Sequence, residues 1–425
     1  MPSYDSPKAW QAGCITSYPP PNPTLGDARA TLQEIWNYPD FRHHQRRAVL
    51  AALRGRDCLA VLPTGGGKSL CYQVPGLILP DLTVIVSPLI SLMQDQVAAL
   101  RARNLPAAYL SSTQKPAVQS AVWEAVRGGR VKLLYVAPER MAQLVAQRSR
   151  LRVALLAIDE AHCISEWGHD FRPHYRALGK HRVALGRPPT IAVTATATPA
   201  TRGDIVRVLG LRRPVTIVQS FDRPNLFFAV RQFRSEAERL RVLGNLLRSH
   251  DGTAVVYVPT RDRTDGVATA LRRWGFAALP YHAGLPGAAR RGLLSRFLDG
   301  RVRVMVATNA FGMGIDKADV RLVAHLGIPP RPEAYFQEAG RAGRDGHPAR
   351  CELLWTSQDL QLAGCLASPP TGAVGRISAV HRKARRQGLE TMRRYIATRG
   401  CRRRVLLSYL GERLRRCAGC DRCQP

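Results

Sequence analysis

A chain of 425 residues with 45% hydrophobic content can bury more than one core, so two or three domains are expected. No apolar run approaches the ~18 residues that cross a bilayer, and the opening stretch MPSYDSPKAWQAGC lacks a basic segment followed by an apolar one, so a cytoplasmic protein without membrane partners is expected. A formal net charge of +32 argues for a polyanionic partner, DNA or RNA first, over the alternative of an arginine-rich surface that binds nothing specific.

Residues 1–24 are Pro-rich (SYPPPNPT) and read as a disordered lead-in. A helical pattern begins at Leu25. Apolar runs then alternate with longer amphipathic stretches: DCLAVLP, LTVIVSP, KLLYVAP, VALLAIDE and TIAVTATAT. Runs rich in Val, Ile and Leu and closed by turn residues read as buried parallel strands with helical crossovers. After Arg212-Arg213-Pro214 a second set follows: TAVVYVPT, FAALPYHA, VRVMVATNAFG and RLVAHLGIP. Two consecutive α/β units result, at 25–215 and 216–360. SPPTGAVGR (368–376) reads as a linker, and 361–425 as a small helical module with fifteen Arg and Lys against three acidic residues in its last 55 positions.

The first strand ends in Val61-Leu62-Pro63-Thr64-Gly65-Gly66-Gly67-Lys68-Ser69, ahead of a helix. Gly65, Gly66 and Gly67 let backbone N–H groups close around a phosphate, with Thr64 in the same loop and the helix N-terminus adding favourable partial charge. Lys68 would neutralise the terminal phosphates of a nucleotide such as ATP, and Ser69 would ligate Mg²⁺. Leu62 stands where the generic pattern has its first glycine. The strand VALLAI leads into Asp159-Glu160-Ala161-His162, at the strand end where open α/β sheets bind ligands. Asp159 is placed to hold Mg²⁺ through water, and Glu160 to orient and deprotonate the attacking water.

The loop, the DEAH box and the segment Cys163-Ile164-Ser165-Glu166-Trp167-Gly168-His169-Asp170-Phe171-Arg172-Pro173 together resemble superfamily 2 helicases, and more narrowly the RecQ family of DNA helicases. The resemblance covers nearly all of residues 30–425. It implies two tandem RecA-like parallel-sheet lobes and a zinc-binding module, with ATP-driven 3′→5′ movement on single-stranded and partly duplex DNA. It also implies that Tyr38 stacks on adenine while Arg42 and Gln45 contact the base, and that Asp316 lies with the nucleotide-binding residues. Trp167, His169, Phe171 and Arg172 would form an aromatic-rich loop coupling single-stranded DNA to hydrolysis. Glu166 stands where many members have Gln. Ser87–Gln96 and Ala137–Arg140 resemble DNA-contact and interlobe motifs, and Thr194–Thr198 the segment that couples hydrolysis to movement.

In the second unit, Gln337, Arg341 and Arg344 lie in QEAGRAGRDG. Arginines three apart on a helical turn share a face, so Arg344 is expected as an arginine finger and Arg341 as its companion. Cys401, Cys417, Cys420 and Cys423 have the spacing of a four-thiolate Zn²⁺ site, with an iron–sulfur cluster as the chemical rival. The helix around Cys401 is expected to bring its arginines onto the DNA track. Because many RecQ members continue into a winged-helix domain, a DNA-stimulated translocase or annealing factor with weak unwinding is the alternative. An RNA helicase or a non-enzymatic basic zinc module is a further one.

Overall fold

The computed structural model describes residues 22–63, 65–167, 170–312, 317–367 and 379–424. The lead-in at 1–21, the linker at 368–376 and the predicted site residues Thr64, His169 and Asp316 therefore lie outside the described residues. Among the described residues no helix is long and apolar enough to cross a membrane. The chain divides into two compact units, Met1–Ser220 and Phe221–Pro425.

The first unit is built on seven strands: β1 (Cys58–Val61), β2 (Leu82–Val86), β3 (Ala107–Leu110), β4 (Leu133–Val136), β5 (Val153–Ile158), β6 (Thr190–Thr194) and β7 (Val215–Val218). All pair in parallel, in the order β3-β4-β2-β5-β6-β1-β7. Every residue of β1, β2, β4 and β6 is buried, which is why these strands read as unbroken apolar runs. Strand β7 pairs with β1, so this sheet runs past the boundary expected at 215. The helix Leu25–Trp36 starts on a capping box between Thr24 and Asp27. Its Ala28 and Leu32 pack with Phe41, Val49, Val74 and Ile78, fastening the segment around residues 38–45 to the helix Leu70–Ile78 behind the glycine loop. At the amino end of β1, buried Asp57 accepts bonds from Arg182 Nη2 (2.6 Å), Thr190 N (3.0 Å) and Arg212 N (2.7 Å).

The second unit holds β8 (Leu226–Phe233), β9 (Thr253–Tyr257), β10 (Ala278–Tyr281), β11 (Val304–Ala307), β12 (Val320–Leu326) and β13 (Ala349–Thr356). This sheet too is wholly parallel, in the order β10-β11-β9-β12-β13-β8. Helices Ala379–Ala397 and Arg402–Tyr409 lead into the cysteine segment, which docks on the free edge of β8. Phe228 and Cys420 form a parallel bridge there, and Asp421 N donates to Phe228 O at 3.0 Å. Strands β3, β7, β8 and β13 were not among the expected runs. In β13 the cause is Glu352, an acidic side chain that is wholly buried and paired with Arg350 at 2.8 Å and Arg231 at 3.4 Å.

Candidate active site

In the first unit five motifs lie just past the carboxyl end of a strand: the glycine loop after β1, Ser87 after β2, Ala137 after β4, Asp159 after β5 and Ala195 after β6. Gly65 (φ 78°) and Gly67 (φ 68°) are left-handed, a conformation that side-chain-bearing residues rarely adopt. A Cβ on Gly67 would also lie 2.2 Å from Gln45 Nε2. Gln45 donates from Nε2 to Gly66 O (3.2 Å) and Gly67 O (3.3 Å), and its Oε1 accepts from Arg42 N at 2.8 Å. Arg42 Nη1 donates to Gly65 O at 3.1 Å. The residues expected on adenine thus grip the carbonyls of the phosphate loop. Tyr38 is 52% exposed, outside the helical core and open to stacking. Lys68 Nζ donates to Leu62 O (3.3 Å) and Pro63 O (3.4 Å), which places an ammonium at the end of β1. Ser69 directly precedes the helix Leu70–Ile78.

Asp159 and Glu160 are both buried. Burial, and then the charge of Glu160, push the Asp159 carboxyl up to about 7, while Lys68 pulls it down. Asp159 Oδ1 accepts from Glu160 N at 3.0 Å, and Tyr175 Oη donates to Asp159 O at 3.0 Å. Glu160 itself adopts a left-handed backbone (φ 46°, ψ 47°), a strained position for a non-glycine residue. His162 Nδ1 lies 3.3 Å from Glu160 Oε2 and 2.8 Å from Thr194 Oγ1. Burial opposes protonation of this imidazole, but Cys163 and Glu160 beside it outweigh burial and hold its pKa well above the ordinary value. A hydroxyl (Ser69) and a carboxylate (Asp159) are the hard oxygen donors that suit Mg²⁺.

The aromatic loop is tied down by Arg172. Its Nε and Nη2 donate to Asp170 Oδ2 (3.2 and 3.0 Å), and its Nη1 donates to Pro88 O at 2.6 Å, in the Ser87–Gln96 segment. Trp167 and Phe171 are half-buried rather than core residues. Neither the Arg172–Pro88 bond nor the Tyr175–Asp159 bond was foreseen, since both join residues distant in sequence or outside the quoted motifs.

In the second unit, Gln337 lies in the helix Pro332–Ala339, which ends before the two arginines. This corrects the expected helical turn: Arg341 and Arg344 stand in a run of turns in which Gly343 is left-handed (φ 54°). Arg341 is buried and lies against Gly312, whereas Arg344 is half-buried. Two residues that the motif reading missed hold this turn. Arg223 donates to Gly340 O (3.0 Å), Ala342 O (3.0 Å) and Gly343 O (2.6 Å), and Asn225 Nδ2 donates to Gly343 O and His347 O, both at 2.9 Å. They lie in FDRPNL, whose Arg and Asn flanking a proline are the available signal.

The thiol sulfurs of Cys401, Cys417, Cys420 and Cys423 all lie within 4.8 Å of one another, which fits a four-thiolate metal tetrahedron. Arg402 and Arg403 are buried, which removes these two from the arginines expected along the DNA track, while Arg393, Arg394, Arg399, Arg413, Arg415 and Arg416 are exposed. Arg402 Nε donates to Asp421 Oδ1 at 2.9 Å, and Arg403 donates to Leu226 O at 2.6 Å and pairs with Asp222. Arg404 alone of the three is exposed.

Residues 42–205 match the DEAD/DEAH box helicase family, 238–346 the helicase conserved C-terminal domain and 371–424 the RecQ zinc-binding family. The ATP-dependent DNA helicase RecQ of Bacillus subtilis is 39% identical over 94% of this chain and 67% of its own length. This chain belongs to the RecQ family. RecQ of Haemophilus influenzae is 40% identical over 93% of the chain, and the chain spans 63% of that relative's length. The two lobes are RecA-like: helicase MrfA bound to DNA and AMPPNP superposes with a TM-score of 0.67 at 19% identity, covering 82% of this chain and 53% of that one. Dbp5 of S. cerevisiae bound to RNA and ADP BeF3 gives 0.63 at 16% identity, covering 88% and 92%. For this RecQ-family chain the zinc-binding match and the four-cysteine cluster coincide, which favours zinc over an iron–sulfur cluster.

Proposed function

We propose that this chain is an ATP-dependent DNA helicase of RecQ type that hydrolyses ATP to move 3′→5′ on single-stranded DNA and to open partly duplex DNA. The observation that carries the reading is that one atom, His162 Nδ1, pairs with Glu160 Oε2 at 3.3 Å and hydrogen-bonds with Thr194 Oγ1 at 2.8 Å. It joins the residue placed to activate water to the segment expected to couple hydrolysis to movement. Lys68 neutralises the terminal phosphates. Ser69 and Asp159 would hold Mg²⁺, which supplies charge neutralisation on the phosphates when bound. Glu160 takes the proton of the attacking water, and His162 passes the resulting change to Thr194. Arg344, with Arg341, supplies positive charge from the second lobe, a contribution worth ~10³–10⁵ in rate in phosphoryl transfer. A first lobe from residue 25 to the unit boundary at 220, a second from 221 to 360 and a module at 361–425 are the division that this reading uses. Zinc in that module has four protein ligands and no open position, a structural role.

The test compares ATP hydrolysis with single-stranded DNA, duplex DNA and RNA, alongside unwinding of a 3′-tailed duplex. Single-stranded DNA should stimulate hydrolysis most, and Lys68→Ala should abolish it. Equal rates with and without DNA would refute the coupling, and hydrolysis without strand separation would make the chain a translocase.

A further inference from the structure

Outside the four-cysteine cluster, a second group of metal-ligating atoms meets beside the DEAH box. Nε2 of His162, Sγ of Cys163 and a carboxylate oxygen of Asp170 all lie within 4.8 Å of one another. Cys163 Sγ is 3.8 Å from His162 Nε2 and 3.7 Å from Asp170 Oδ2. Zinc bonds of about 2.0–2.3 Å at tetrahedral angles set neighbouring ligands about 3.5 Å apart, so the two separations from Cys163 Sγ are already within a few tenths of an ångström of those a bound cation needs. His162 is also dressed as a metal-bound histidine is. Its other nitrogen faces Glu160 Oε2 (3.3 Å) and Thr194 Oγ1 (2.8 Å), contacts that fix the ring and leave Nε2 toward the thiol. His162 and Cys163 are buried, and the Asp170 side chain is 33% exposed, so the group opens to solvent on one side.

We propose that His162, Cys163 and Asp170 form a second, inhibitory site for a borderline-soft divalent cation such as Zn²⁺. One imidazole, one thiolate and one carboxylate suit Zn²⁺ far better than Mg²⁺, and water completes the coordination. Binding requires the Cys163 thiol and the protonated His162 ring each to lose a proton to solvent as the metal–sulfur and metal–nitrogen bonds form. It also claims Asp170 Oδ2, the oxygen that accepts both bonds from Arg172. Arg172 then loses the partner that aims it at Pro88 O, and the aromatic loop loosens from the Ser87–Gln96 segment. This consequence, unlike the site itself, rests on the coupling role proposed for the loop.

The experiment uses the full chain carrying its four-cysteine metal, dialysed to equilibrium against graded Zn²⁺, with metal counted per chain. Two zinc ions are expected for the parent, and one for both Cys163→Ser and Asp170→Asn, with retention of the first zinc reporting that each variant is folded. A Co²⁺ titration should give the second equivalent a thiolate-to-metal band about a quarter as intense as the first. Saturation of the parent at one zinc, or two zinc ions in both variants, overturns the site. Where the second zinc binds, DNA stimulation of hydrolysis should fall several-fold in the parent and not in Cys163→Ser. A bound second zinc with stimulation intact would leave the site standing and remove the coupling role.

Discussion

In the proposed mechanism two residues at the end of β5 divide the chemistry between them. Asp159 is buried beside a like charge and Lys68, as a group waiting for a cation is, while Glu160 is held in a left-handed backbone that turns its carboxylate toward His162. A general base contributes ~10²–10⁴ in rate, so Glu160→Gln should lower kcat by at least ~100-fold while nucleotide still binds. Steady-state hydrolysis set against titration with a fluorescent nucleotide separates the two. Thr194→Val removes the hydroxyl that meets His162 and leaves the carboxylates untouched. It should keep hydrolysis without DNA near the parent rate and cut the stimulation by single-stranded DNA, read from one assay at rising DNA concentration. Lys68, Asp159 and Glu160 were legible in the sequence because a phosphate loop and an acidic pair after a strand have local patterns. Thr194 and Pro88 stood in recognised motifs, but their bonds to His162 and Arg172, like that of Tyr175 to Asp159, were not legible, since each joins groups that only the fold brings together. Arg402 and Arg403 misled for a related reason: a run of three arginines looks the same whether it faces DNA or closes buried ion pairs.

Among elements, the fully buried strands declared themselves, whereas the missed β3 and β7 are only four residues long and partly exposed, and β8 and β13 carry charged residues. Glu352 interrupts the apolar pattern of β13, and its cost is met by Arg350 and Arg231, residues no local window connects. The turn at 340–344 is the more consequential case. Its backbone is fixed from outside by Arg223, which satisfies three of its carbonyls, and by Asn225. A Cβ on Gly343 would lie 2.5 Å from Asn225 Nδ2, so the glycine and its clamp are fitted to each other. If Arg341 and Arg344 act on charge that develops during phosphoryl transfer, loosening the clamp harms the transition state more than nucleotide binding. Arg223→Ala should therefore lower kcat about tenfold or more and leave KM for ATP nearly unchanged, with Arg223→Lys recovering little because it cannot reach three carbonyls in a plane. A parallel rise in KM would reassign Arg223 to nucleotide binding.

At the scale of the molecule, stability in the second unit is concentrated where distant segments meet on the sheet. Burial alone would raise the Asp359 carboxyl, but the Thr356 N–H, Arg239 and Arg263 outweigh burial and hold it below its ordinary value of 3.8. A lowered carboxylate contributes stability that is complete above that value and is lost as pH falls through the folded-state pKa. Asp359→Asn should be clearly less stable than the parent at neutral pH, and the gap should close in strong acid, as followed by denaturant titration at a series of pH values. The cysteine segment is the other such meeting point. Asp421 both donates from its backbone N to Phe228 O and accepts from Val230 N at 3.1 Å, covering an edge strand that would otherwise present unpaired groups. The same aspartate pairs with Arg402, whose guanidinium is buried, so freeing the segment strands a charge as well as an edge. A structural metal is the natural lock on this arrangement, because few other contacts order so short a segment. Cys420→Ser, or chelation of the parent, should speed amide exchange at Val230 and along β8 while strands β1 and β6 of the first unit keep their protection. Loss of protection in both units together would mean that the metal supports the whole chain and not the edge of one sheet.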